Sequence, residues 1–472
     1  MPVLYAVAAA GVEQCIAFAA VSTPRSAVHA APPKASHTMS ALRLLELLRV
    51  LLLRGAAPLL VPRRWRRADG PVRLRRALET LGGGWAKLGQ LLALRFDLLP
   101  EAYCLELFKL LNRAAPFPYE EAERVIREEL GREIPELFAS FHREPFASAS
   151  IGQVHDATLH DGRRVAVKVQ RPGIAALLGS DIALMRRAAT IVDRTRLLGV
   201  TRTRDIVDEL ARWTSEELDY SVEAANAIAI RDNIRDEDTE YAPKVHLDHS
   251  ARRVLTAERI DGVPLVDIIR ELRADREATT SRMRAAGQDL EQAAANVVWN
   301  FLGQVYATGV FHGDLHPANI LLLDGNRIGY VDFGIVGRIP PEVQQSLGDY
   351  ARSLFGGDGA DAVDQLLRWL RPSAKTDRVA ARRDMLRLTE QFLVDLEDPD
   401  ARRREILARF QVDLLSTARR HQLSADPLIV LYMKVVLAMD AVTSELAPAL
   451  DLQSVHERFF SELIIEGLQS TS

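Results

Sequence analysis

Cysteine is nearly absent: Cys15 and Cys104 are the two thiols in 472 residues. A pair so widely separated excludes a disulfide framework and a thiolate metal cluster, and it fits a reducing compartment. Buried spectator thiols are the simplest reading of both. Net charge is −4, which leaves no bulk excess of positive charge to favour nucleic acid. Long uncharged apolar runs are also missing. The early run 41–61 is interrupted by Arg43, Glu46, Arg49 and Arg54, and the late run 427–439 contains Lys434. Both read as unable to span a bilayer, the second because it is too short, so integral anchoring is not expected. Residues 1–21 carry Glu13 and lack a basic start, which excludes the secretory-signal pattern. There is no internal repeat and no Gly-x-Gly-x-x-Gly.

What is present is ordinary globular material, 48% apolar and 26% charged, long enough for two or three domains or one large two-lobed enzyme. Residues 1–40, rich in Ala, Pro and Ser towards their end, read as a disordered extension, or as the product of a start set before Met39. Residues 41–76 read as an amphipathic helix ending near Gly55, followed by the basic runs RRWRR (63–67) and RLRR (73–76). Such clusters are either a solvated cationic face or an attraction to an anionic membrane surface. From 77 to 140 the pattern is helical, with turns at Gly82–Gly84, Pro116 and Pro118. Alternating apolar residues around Asp161–Gly162 predict a β-hairpin, QVHDATL to RRVAVKVQ. Helical periodicity follows over 174–235, a strand over 252–260, helices over 264–308, a second hairpin over 319–334, and helix throughout after Pro340. The division expected is 77–140 as a helical extension, 141–262 as a smaller mixed lobe and 263–472 as a helical lobe.

Chemistry concentrates in HGDLHPAN, His312 to Asn319, and in VDFG at 331–334. Phosphoryl transfer needs oxygens that hold magnesium on phosphates, and a carboxylate beside the acceptor. Asp314 is the candidate carboxylate. Asn319 follows it at the interval the kinase catalytic loop uses for its metal-binding Asn, and Asp332 is the second metal ligand at a strand end. His312 is expected to brace this loop from behind. Lys168 lies in the apolar strand VAVKVQ, where an unpaired ammonium is costly to bury, so it needs anionic company. The phosphate-covering loop before it is Ala147-Ser148-Ala149-Ser150-Ile151-Gly152, followed by Val154. Alanines in place of glycines restrict close backbone approach, so nucleotide handling should differ from that of an ordinary protein kinase.

A further motif, Trp85-Ala86-Lys87-Leu88-Gly89-Gln90 running into LALRFDLLP, resembles the KxGQ signature of the UbiB/ADCK atypical kinases. The alanine-rich loop FASASIGQV and the E-x-D element Glu217-Leu218-Asp219, with EAAN at 223–226, resemble the same family. The likeness covers roughly residues 75–340 and, weakly, the tail to about 450. It implies an α+β, bilobal protein-kinase-like fold, with a small mixed sheet in the first lobe and a mainly helical second lobe. It also implies that Lys87 enters the active site as a catalytic residue and pairs with Glu217, that Lys168 pairs with Glu223, and that Gln90 completes the helix contacts. Glu258 to Ile260 would form the hinge whose backbone holds adenine. ATP or ADP and Mg2+ are the implied cofactors. Quinone-biosynthesis proteins or lipids are the implied partners, and an ATPase or atypical kinase acting in quinone or isoprenoid-lipid metabolism is the implied function. A cytoplasmic location follows, with peripheral membrane association as its limit. A small-molecule phosphotransferase of the aminoglycoside or choline kinase type, and a nucleotide-gated scaffold, remain the alternatives. Whichever reading holds, the scattered side chains are expected to converge on one metal-bound triphosphate.

Overall fold

A computed structural model describes residues 70–93, 99, 101–107, 109–110, 115–195, 203–397 and 403–469. The expectations for 1–40, for the amphipathic helix over 41–61 and for the basic run 63–67 lie outside these residues. The chain forms mixed helices and sheets in two compact units. One gathers the described residues up to Ala225 with Lys244–Arg259; the other gathers Asn226–Pro243 with everything from Ile260 onward.

The strands are short. Early in the chain run β1 (Ser140–Phe141), β2 (Ala147–Ser148), β3 (Gly152–Thr158), β4 (Arg164–Gln170), β5 (Glu240–Tyr241) and β6 (Val254–Glu258). Later come β7 (Val263–Pro264), β8 (Val310–His312), β9 (Ile320–Leu322), β10 (Ile328–Tyr330) and β11 (Val336–Arg338).

In the first unit, β1, β3, β4 and β6 make an antiparallel sheet, with β2 folded back on β3. The hairpin β3–β4 turns at Asp161–Gly162 as the sequence predicts, with Gly162 at φ +88, which suits a residue without Cβ. Strand alternation sends Val165, Val167 and Val169 to one face, all fully buried, and Lys168 to the other. The valine face meets helix Tyr119–Leu130, whose Ala122, Val125 and Ile126 recur at helical spacing, and Phe117, Leu137 and Phe138 complete this core. The helix stops at Gly131, a left-handed residue whose N–H returns to the Arg127 carbonyl.

Helix Gly70–Leu81 breaks at Gly82, at φ +57, and the chain resumes as helix Gly83–Ala93. Gly84 N–H donates to the buried Asp181 carboxylate at 2.9 Å, which ties the KxGQ helix to helix Ile174–Thr195. A Cβ at Gly84 would stand 2.8 Å from that of Asp181. The expected cationic face at 73–76 needs correction at one position. Arg75 bonds Glu106 at 2.8 Å and pairs with Glu79, so its charge is committed locally.

The second unit holds the sheet β5-β10-β9-β7 and the pair β8–β11. The hairpin β9–β10 confirms the strand-turn-strand reading of 319–334, with Gly325 at φ +72 in its turn. Helix Leu290–Leu302 starts at Asp289, which accepts from the N–H groups of Glu291 and Gln292. It buries Ala293, Ala294, Val297, Val298 and Phe301 and then loosens into a π-turn over Gly303–Thr308, ended by Gly309.

Two readings of the tail are overturned. The segment after Pro340 is not helical throughout: Leu370–Pro372 pairs antiparallel with Leu423–Ala425. Three-residue strands flanked by helices carry too little alternation to be seen in sequence. The apolar run at 427–439 belongs to a longer helix, Pro427–Leu446, whose 20 residues suffice by length and composition to cross a bilayer. Its apolar window is 72% buried inside the protein, which is how a core helix passes the same test.

Candidate functional site

The first unit holds the two lysines singled out by the sequence. Lys168, on the open face of β4, donates to both carboxylate oxygens of Glu223, at 2.7 and 2.8 Å. Its ammonium also stands 5.2 Å from the ring centroid of Tyr220. Glu223 is 7% exposed, so the pair satisfies two charges that would each be costly alone. The resemblance implied this pairing; Val154, the expected loop contact, lies directly across from Lys168 on β3. Ala147 and Ser148 form β2, opposite Val154 and Gln153, and Ala149 N–H closes the turn onto the Gly152 carbonyl at 2.8 Å. Ser150 and Ile151 complete that turn, with the Ile151 carbonyl accepting from Arg171 N–H at 2.7 Å. The Ser148 hydroxyl is buried without a hydrogen-bond partner among the described residues. Gly152 cannot take a side chain, because a Cβ would come within 2.4 Å of the Tyr220 hydroxyl and 2.7 Å of the Val169 carbonyl.

The KxGQ lysine is likewise paired. Lys87 is 5% exposed and donates to Glu217, as the resemblance implied, and Gln90 lies buried one turn further along the same helix. Gln170 amide N–H donates to the Leu218 carbonyl at 2.9 Å, fastening the E-x-D segment to β4. Asp219 accepts from the N–H and hydroxyl of Ser221, which caps helix Tyr220–Asp232.

At the segment expected to form the hinge, two backbone donors are already used within the protein. Glu258 N–H already donates to the Lys244 carbonyl at 2.8 Å and Arg259 N–H to that of Arg164 at 3.0 Å. Those two amides are therefore not free for an adenine edge. The Ile260 side chain is buried with Leu321 and Leu323.

The second unit holds the Asp-Asn loop and the Asp-Phe-Gly turn. Asp314 Oδ2 accepts from Asn319 Nδ2 at 2.9 Å, and the Asn319 amide also reaches the Asp314 carbonyl at 3.3 Å. Nδ2 thereby faces the carboxylate, and Oδ1 is the Asn319 atom able to ligate a cation. His312 is fully buried and its Nδ1 accepts the Asp314 N–H at 3.1 Å. It stacks on Tyr330 and meets Phe333 edge-on, a brace for the loop from behind. Burial lowers its pKa, so the ring is the neutral acceptor this bond needs. Asp332 lies two residues beyond β10, and its Oδ1 accepts from Gly334 N–H at 3.0 Å. The Phe333 carbonyl accepts from Asn226, whose own carbonyl oxygen accepts from Arg338.

No cluster of three His, Cys, Asp or Glu side chains able to hold a metal occurs among the described residues. Mg2+ does not require such a cluster, since it takes one or two carboxylates and completes its shell with phosphate oxygens and water. Asn319 and Asp332 are suitable ligands of that kind.

Sequence reasoning missed a cation. Lys434, assigned no role, donates to Asp314 Oδ1 at 2.9 Å and approaches the Gly313 carbonyl at 3.4 Å. It is 5% exposed, in the middle of helix Pro427–Leu446. The one available signal was a lysine inside an otherwise apolar run. A second unrecognised element lies behind the loop. Gln304, turned by the π-segment, accepts the His312 N–H at 2.8 Å and donates to the buried Glu240 carboxyl.

Comparison with known proteins agrees. The family model for the ABC1 atypical kinase-like domain matches residues 109–366. A probable protein kinase UbiB of Marinobacter nauticus is 33% identical over 399 residues, 83% of this chain and 69% of that protein. The structure of Rv3197 from Mycobacterium tuberculosis, solved with erythromycin, is 28% identical with a TM-score of 0.54 and covers 81% of this chain and 93% of that one. With both lysines paired to their helix glutamates, and with the Asp-Asn loop and Asp-Phe-Gly turn in place, the chain belongs to the ABC1 atypical kinase-like family.

Proposed function

We propose that this protein binds Mg-nucleotide and acts as an atypical kinase or ATPase. Lys168 engages the α- and β-phosphates while Glu223 fixes its direction. The Ala147–Gly152 turn covers the phosphates. Asn319 Oδ1 and Asp332 hold magnesium, which supplies charge neutralisation on the phosphates when bound. Asp314, held on one oxygen by Asn319 and on the other by Lys434, orients the attacking hydroxyl or water. Positive charge at Lys434 is in place before the reaction begins, the preorganisation that stabilises developing charge without reorganisation.

The observation that carries this reading is the two-point clamp of Glu223 on Lys168, which supports a buried ammonium prepared for an anion. Quinone or isoprenoid-lipid metabolism is the setting we propose, on the family resemblance alone. ATP is the partner proposed first, followed by an anionic membrane surface near the N-terminal basic region.

The test is a thermal shift with and without Mg-ATP on the wild type, Lys168→Ala, Asp332→Ala and Ala149→Gly. A nucleotide-dependent rise in the wild type is expected, lost in the first variant, made independent of magnesium in the second and altered in nucleotide preference in the third. Identical shifts in all four proteins would remove the proposal. Stimulation of ATP hydrolysis by anionic vesicles would support the lipid setting, and indifference would count against it.

A further inference from the structure

Asp181 lies inside helix Ile174–Thr195 at 0% exposure, where a carboxylate is costly unless its oxygens are bonded. Oδ2 accepts the Gly84 N–H at 2.9 Å, from a residue 97 positions away in the chain. Gly84 stands in the first turn of helix Gly83–Ala93, where N–H groups have no partner within their own helix. The bond is therefore an N-cap delivered from another helix, with the carboxylate at the positive end of the helix dipole. The approach depends on Gly84 having no side chain. An added Cβ would stand 2.8 Å from that of Asp181 and 3.2 Å from Oδ2.

The cap sits close to the KxGQ lysine. Lys87 follows Gly84 by one helical turn, roughly 4.5 Å along the axis, and donates to Glu217. Packing sets the far end of this helix, since a Cβ at Gly89 would come within 2.3 Å of Leu110 and 2.8 Å of Leu78. The near end begins on a joint instead. Gly82, Gly83 and Gly84 follow one another, with Gly82 at φ +57 and Gly83 at φ +52. Consecutive glycines leave a backbone many settings, and Asp181 ties this one down.

We propose that Asp181 is a positioning residue for Lys87. Its carboxylate fixes the start of helix Gly83–Ala93 where Lys87 meets Glu217, and loss of the bond lets that end move and Lys87 leave. The helix thus has a docked and a released state, and Asp181 sets the balance between them. Any effect on turnover rests on the nucleotide reading proposed above and on the active-site role that the resemblance gives Lys87; the docking itself does not.

The experiment labels lysines of the full chain with acetic anhydride, without nucleotide, and follows Lys87 and Lys168 by mass spectrometry. Lys87 is 5% exposed, so the wild type should label there slowly. Asp181→Ala should speed Lys87 labelling about fivefold or more, the shift expected in a docked population that loses a cap. Gly84→Ala should do the same by crowding the carboxylate away, and Asp181→Asn, which keeps an acceptor, should fall between. Lys168, held by Glu223 in the same unit, should label at the wild-type rate in all three variants. Equal acceleration at both lysines would show general loosening and overturn the positioning role. Unchanged Lys87 labelling in Asp181→Ala, or labelling of Asp181→Asn as fast as that of Asp181→Ala, would overturn it too. If Asp181→Ala does not fold, Gly84→Ala decides. A second arm measures ATP hydrolysis. Asp181→Ala and Lys87→Met should each change kcat at least about threefold, and the double variant should match Lys87→Met alone, because a group acting through Lys87 then has nothing to position. Fully additive effects would overturn action through Lys87. Unchanged hydrolysis in Lys87→Met would remove the active-site role of that lysine, and the labelling would still decide the docking.

Discussion

At the scale of single residues, the site is a set of charges that tolerate burial because each is matched. Lys168 and Glu223 are both substantially buried, with side-chain exposures of 17% and 8%. Removing one partner of such a pair leaves an uncompensated charge, at a cost of about 3 kcal/mol. Lys168→Ala is therefore expected to lower unfolding stability as well as nucleotide affinity. Replacing both residues, Lys168→Met with Glu223→Leu, should cost less than the sum of the single changes, as read by urea denaturation in a double-mutant cycle. Lys434 and Asp314 follow the same logic with exposures of 4% and 13%. Lys434→Met should destabilise by about 3 kcal/mol and reduce kcat for ATP at least tenfold with KM little changed, because the missing charge acts on the reacting group. Lys434→Arg should retain part of both. A rise in KM with kcat unchanged in steady-state kinetics would refute a role for Lys434 at Asp314.

At the scale of elements, short strands and loosened helix ends aim these side chains. The π-turn Gly303–Thr308 brings Gln304 between the His312 amide and Glu240, so a buried carboxyl stands two hydrogen bonds behind the His312–Asn319 loop. Burial raises the Glu240 pKa from 4.5 to about 7, opposed by the bond from Gln304 and reinforced by nearby Asp236. The folded protein therefore keeps a proton on Glu240 that the unfolded chain has released. The stability from this retained proton is fully present below about pH 4.5 and lost as pH rises through 7, about 3 kcal/mol in all. Glu240→Gln should flatten that part of the stability curve and unfold later than the wild type at pH 8, measured by urea denaturation across pH. An unchanged slope would show that Glu240 does not titrate there. The β3–β4 hairpin was plain in the sequence because alternation and the Asp-Gly turn agree. The pair Leu370–Pro372 with Leu423–Ala425 was not, because three residues of contact between distant segments leave no periodic trace.

At the scale of the whole molecule, binding energy adds to folding energy. A ligand that binds only the native state stabilises by RT ln(1 + [L]/Kd), about 2.7 kcal/mol at a hundredfold excess over Kd. Saturating Mg-ATP should raise Tm by several degrees, and chelating the metal should remove most of that gain, because no protein-only metal cluster occurs among the described residues to retain it. A Tm rise that survives chelation in full would argue against metal held through Asn319 and Asp332.

The sequence by itself determined the family, the hairpins and the identities of the paired residues. Motif spacing, strand alternation and turn residues are local properties, and local properties are written in order along the chain. Lys87 with Glu217 and Lys168 with Glu223, 130 and 55 residues apart, could be named only through the resemblance, which links one motif to another. Only the tertiary structure decided that Lys434 reaches Asp314, that Gln304 joins His312 to Glu240, and that the apolar run at 427–446 is an interior helix. Each of those contacts joins segments far apart in sequence, or depends on which face of a helix is covered. Such choices follow from chain packing in three dimensions, which spacing along one dimension does not encode.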